Sequence, residues 1–303
     1  MALYLGLTLV PILIGSLAAV SCALLGNFLV LRRQSLMGDA ISHVVLPGIV
    51  AAFVLTGSMS AIPMLLGAAA AALLAAAMIE IVRVYGKVEP GAAMGVVFTA
   101  LFAFGIVLLE QTDTGSIHFD VEHALYGNLE SLVWLAGIEW AALIDPIALS
   151  DIPPQLPRLA MALVVVVGFL AVAWRPLVIS TFDPTFAAAA GVPVRLVNAG
   201  LIILVAMVSV TAFEAVGAII AIAMLICPPA AARMMTDRLL PQIAWSVAFA
   251  ILAAAGGYVA AGAGVALFVE GVAVSAAGMI ATVAGVTLLL AAAFGPRRKG
   301  AKA

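Results

Sequence analysis

Asp39 and His43 stand four residues apart in the stretch SLMGDAISHVVLPG, where no other side chain is ionisable. On an α-helix this spacing puts both on one face with Cβ atoms about 6 Å apart, so a carboxylate and an imidazole can converge on one cation. Carboxylate oxygen with neutral imidazole nitrogen suits Mn²⁺, Fe²⁺ or Zn²⁺, and no thiolate accompanies them to demand a softer metal. Ser35 and Ser42 lie near the same stripe and could support such ligands by hydrogen bonds. The plain alternative is an Asp to His hydrogen bond that merely joins two helices. Two residues do not complete a sphere of about four to six ligands. A two-fold pair of chains would supply two carboxylates and two imidazoles.

The elements that must carry this pair follow from composition. Of 303 residues, 66% are hydrophobic and 9% charged, and mean hydropathy is +1.28. Such a chain cannot solvate a water-exposed surface, so a soluble globule and a disordered chain are both excluded. A net charge of -2 without a basic face argues against nucleic acid as a partner. Cys22 and Cys227 sit in apolar runs, which leaves neither a disulfide scaffold nor a CxxC centre. Leu3 to Leu31 is apolar, but the first basic residue, Arg32, follows the run, so it reads as a retained span and not as a cleavable signal.

A bilayer core about 30 Å thick needs about 20 helical residues, and backbone polar groups in lipid must pair internally. Alternation with period two is absent, which argues against a β-barrel. Candidate spans are 5–31, 35–56, 61–84, 92–110, 157–176, 196–213, 216–235, 239–261 and 265–293. The expected fold is therefore all-α, a polytopic membrane protein of about eight or nine transmembrane helices in a single transmembrane domain over 1–303. Twelve of the thirteen Lys and Arg residues fall on one side of such an arrangement, which the positive-inside rule makes cytoplasmic. The exception is Arg158.

The opposite side receives the segment 111–156, expected to be extracytoplasmic and carrying acidic residues without a basic partner. An acidic vestibule attracts cations, although acidic residues also collect wherever basic ones are excluded. Asp120, Glu122 and His123, with His118, are candidates to hand a metal inward, or form an ordinary solvated loop. Residues 131–144 suggest an interfacial or re-entrant helix with Trp134 and Trp140 at headgroup level. Glu214 falls between spans six and seven near the outer boundary, as a gate for the ion or as a loop carboxylate.

A cytoplasmic segment over about 177–195 holds FDPTFAAAAGVP. Asp183 before Pro184 is an N-cap with proline at the first helical position, and Gly191 with Pro193 closes a helix of about seven residues. A short capped helix on the inner face suits contact with a motor subunit, and equally suits an ordinary connector. There is no GxxxxGK[ST] loop, HExxH or GxSxG, so energy from ATP would have to arrive on another chain.

Together these pieces resemble the ABC-3 family, permease subunits of bacterial ABC importers for manganese, zinc and iron. LRRQSLMGDAISHVVLPGI at 31–49, GAAMGVVFTALFAFGIVLL at 91–109, VEHALYGN at 121–128, FDPTFAAAAGVP at 182–193 and VGAIIAIAMLICPPAAAR at 216–233 are similar to family motifs in the same order. The resemblance implies a cobalamin-importer-like fold in the bacterial inner membrane and a permease without enzymatic activity or a resident cofactor. It implies two cytoplasmic ATPases as partners, a periplasmic or extracellular metal-binding protein, and a second permease copy. It makes Asp39 and His43 the transmembrane metal site, with manganese first and zinc or iron next. Asp183, Pro184, Ala187 and Gly191 would form the coupling helix. The rival reading is a secondary metal transporter or channel that needs no ATPase, though no internal repeat of that kind is visible. Because ligation needs neutral imidazole, import is expected to weaken as acid protonates histidine.

Overall fold

The computed structural model describes residues 5–57, 61–111, 129–136, 145–264 and 274–296. Among them, helices α1 to α4 are Val10–Leu31, Met37–Thr56, Ala61–Gly86 and Pro90–Gln111. A short α5, Pro146–Ser150, precedes α6 (Gln155–Val172), α7 (Trp174–Phe182) and α8 (Pro184–Ala189). The chain continues through α9 (Val194–Val216), α10 (Ala218–Met235), α11 (Leu239–Val259) and α12 (Ala276–Phe294). Nine helices among the described residues are long and apolar enough to cross a membrane. They are the nine spans read from hydropathy, because bilayer thickness fixes the length of the apolar run.

Three boundaries differ by more than two residues. The fifth span ends at Val172, not at 176, because Pro176 has no N–H to return to the Val172 carbonyl and is tolerated in the first turn of α7. The sixth runs past Glu214 to Val216 and breaks at Gly217, whose φ of +83° suits a residue without Cβ. The last begins at Ala276, not at 265, while 265–273 lie outside the described residues.

The chain divides into two compact units. One comprises residues 1–27, 122–168 and 211–303, and the other 28–121 and 169–210. In the first, α10, α11 and α12 pack on one another. Its core holds a polar chain between α1 and α11: Asn27 Nδ2 donates to Ser246 Oγ at 2.6 Å, and Gln242 Nε2 donates to Asn27 Oδ1 at 3.0 Å. All three side chains are fully buried, so each bond replaces a solvent partner that lipid cannot provide. Glu130 Oε1 accepts from the Ala276 N–H and thereby caps α12, where Ser275 makes no side-chain cap.

Trp134 corrects an expectation. Residues 132–136 are not helical, and its ring is buried with the indole N–H donating to the Ala148 carbonyl at 2.8 Å. A satisfied indole inside protein has no need of the headgroup layer. Trp140 and Glu139 lie outside the described residues.

In the second unit α2 packs on both α3 and α4. Gly48 of α2 faces Gly67 of α3 so closely that a Cβ at Gly48 would stand 2.5 Å from the Gly67 carbonyl oxygen. A Cβ at Gly105 of α4 would come within 2.6 Å of Pro47 Cβ. Helices in lipid associate through such small-residue contacts, since burying apolar surface there gains little.

Candidate functional site

Asp39 lies in the first turn of α2 and His43 one turn on. At about 1.5 Å rise per residue, both fall within about 10 Å of the helix start, which the positive-inside reading places at the cytoplasmic end. The helix N-terminus favours a carboxylate there. His43 Nε2 and Asp39 Oδ1 are 3.5 Å apart, with side chains 39% and 34% exposed, so an arriving ion can reach both. The imidazole is wedged by α4: Phe98 stacks on it with centroids 5.2 Å apart, and Phe102 meets it edge-on at 5.6 Å. The Pro47–Gly105 contact, one turn further along α2, keeps α4 close enough to do so.

The sequence therefore brings together a carboxylate oxygen and an imidazole nitrogen on a clamped helix. Among the described residues no group of three or more His, Cys, Asp or Glu side chains is placed to hold a metal. Ser35 is half-buried, whereas the Ser42 side chain lies outside the described residues. So do Asp120, Glu122 and His123, together with His118.

Glu214 is in the last turn of α9 and not in a loop, and it forms an ion pair with Arg158 at the start of α6. Arg158 was the basic residue left over by the charge rule, and that exception was its only signal. Phe98 and Phe102 left none, since two aromatics in an apolar span look like any lipid-facing pair.

On the inner side, Asp183 caps α8 as its position before Pro184 suggested. Its Oδ1 accepts from the Phe186 N–H at 2.8 Å and from Thr185 Oγ1 at 2.7 Å. Those donors, the Phe186 amide first, hold its carboxyl below the usual carboxylate range. The helix has six residues, Ala187 is its buried contact, and Gly191 follows with φ +79°.

The model of the ABC 3 transport family matches residues 7–145 and 152–295. The chain is 41% identical over 244 residues to the manganese transport system membrane protein MntD of Bacillus subtilis, covering 80% of each. It is 36% identical over 222 residues to the zinc transport system membrane protein TroD of Treponema pallidum, covering 73% of this chain and 58% of that one. Among solved structures it is similar to PsaBC from Streptococcus pneumoniae in complex with Fab. That similarity has a TM-score of 0.71 at 26% identity and covers 96% of this chain and 92% of that one.

Proposed function

This chain belongs to the ABC 3 transport family, and on that premise we propose that it is the membrane permease of an ATP-driven importer for a divalent transition metal, manganese before zinc or iron. The match over almost the whole length supports this reading most strongly, and the order of metals follows the relatives' names. The permease is a multi-pass protein of the bacterial membrane.

Metal arrives from an extracytoplasmic binding protein, passes the acidic outer segment with Glu214 as a gate, and pauses between Asp39 and His43. One chain offers these two donors; a second copy across a two-fold axis completes the sphere. A sparse site suits passage, because an ion held by few ligands can leave. ATP is hydrolysed on separate cytoplasmic subunits, and the α8 segment around Asp183 receives their motion.

Reconstituted vesicles test the proposal. With the ATPase and binding protein present, radiolabelled manganese should accumulate only when ATP is hydrolysed. Accumulation by the chain alone, unaffected by an inactive ATPase, would establish the ATPase-independent carrier instead.

A further inference from the structure

The second unit contains a cavity of about 860 Å³ that the metal route does not use. Its volume lies within the range of about 300 to 1,000 Å³ common for small-molecule sites. Four guanidinium groups line it, from Arg32, Arg33, Arg83 and Arg195, against one carboxylate, Glu80. Such a balance repels a divalent cation and attracts an anion.

Glu80 is already engaged with Arg83, at 2.6 Å. Among the described residues, Arg32 donates to neutral oxygens: Nε to Thr181 Oγ1 at 3.0 Å, and the two terminal nitrogens to Asn198 Oδ1 at 2.7 Å and Ser180 Oγ at 3.0 Å. Burial depresses its basicity, as expected for a cation drawn from water. Arg195 sits in the first turn of α9, where backbone N–H groups add to the positive field.

A second feature concerns shape and hydrogen bonding. Gln34 lines the same cavity and is 6% exposed, and its Oε1 is buried without a hydrogen-bond partner. A carbonyl oxygen of this kind calls for a hydroxyl or amine donor. The remaining wall is apolar, and Leu73, Ile81, Val84 and Ile203 within it are exposed at the surface of a membrane-spanning bundle. Tyr85 stands at the rim, 83% exposed, as an aromatic at headgroup level does.

A free phosphate would satisfy the arginines but leave the apolar wall and Gln34 unused. We propose that the cavity binds one anionic glycerophospholipid of the inner leaflet. Its phosphate rests on the arginines, a headgroup hydroxyl donates to Gln34 Oε1, and an acyl chain follows the apolar wall. Basic pockets between helices on the cytoplasmic side suit such headgroups. The lipid would fasten the end of α1 to the start of α9, beside the α8 segment whose Pro184 also lines the cavity.

The full chain, extracted from the membrane in mild detergent, is exchanged into phosphatidylglycerol or phosphatidylcholine and weighed intact by native mass spectrometry. Phosphatidylglycerol should be retained roughly tenfold more than phosphatidylcholine. The double variant Arg33→Gln, Arg195→Gln should lose this preference while Arg32 keeps the fold. Gln34→Met, close in volume, should weaken phosphatidylglycerol alone, and inorganic phosphate or glycerol phosphate should not displace it. Equal retention of both lipids would overturn the proposal, as would unchanged preference in the folded double variant. Displacement by inorganic phosphate would show a free-anion site, and cross-linking of two copies through Val84→Cys would show another chain there; either result overturns the lipid assignment.

Discussion

Arg158 in the first turn of α6 and Glu214 in the last turn of α9 form an ion pair within one compact unit, joining helix ends that lie 56 residues apart in sequence. The charge rule places both at the outer boundary. On the proposed route, the pair gives Glu214 a resting partner that an incoming cation would displace before using the carboxylate. With side chains 37% and 28% exposed, its worth to stability is about 0 to 1 kcal/mol.

A double-mutant cycle with Arg158→Gln and Glu214→Gln therefore should show a coupling of at most about 1 kcal/mol in thermal unfolding. Transport should respond differently. Arg158→Gln frees the carboxylate and should lower the KM for metal, whereas Glu214→Gln should raise it. Identical KM values in both variants would remove Glu214 from the route.

The clamp on α2 gives a second expectation. Gly67→Val should force α3 away from Gly48, at a cost of about 1 to 3 kcal/mol for overpacking. Gly105→Val should do the same at Pro47 and shift Phe98 and Phe102 from His43. Both variants should lose uptake, with a lowered unfolding temperature in detergent. Wild-type uptake by Gly105→Val would show that the position of α4 does not matter to the imidazole.

Asp183 yields a pH dependence whose sign follows from its lowered carboxyl pKa. A carboxylate held more acidic in the folded state contributes its stabilisation fully above the ordinary unfolded value, and loses it as pH falls through the lower folded one. The cap is thus intact at neutral pH and fails only in acid. Asp183→Asn, which retains a capping oxygen, should keep ATP hydrolysis coupled to transport at pH 7. Asp183→Pro should uncouple them, leaving ATPase activity with little uptake. Parallel assays of phosphate release and metal uptake in vesicles would decide, and full coupling in Asp183→Pro would contradict a role in transmission.

What the sequence disclosed and what it hid divide along physical lines. Membrane spans are legible because one local quantity, the length of an apolar run, is set by the bilayer. Asp39 with His43 is legible because a four-residue spacing is a helix face, and the α8 cap because aspartate before proline acts on adjacent amides. Long-range satisfaction was not legible. Trp134 looked like an interfacial anchor because nothing near it reveals that Ala148 accepts its N–H. Asn27, Gln242 and Ser246 are scattered polar residues until two helices meet. The charge of Glu214 marks a break between spans six and seven in the sequence, whereas the backbone turns at Gly217, where a residue lacks Cβ.

The central claim is that Asp39 and His43 hold the metal in transit, and uptake of radiolabelled manganese by the assembled transporter tests it most directly. Asp39→Asn and His43→Gln keep size and polarity but remove a ligand charge and an imidazole nitrogen. Each should reduce uptake at least about tenfold while membrane insertion and ATPase association remain normal. Wild-type uptake in both variants, at equal amounts of protein in the membrane, would contradict the account.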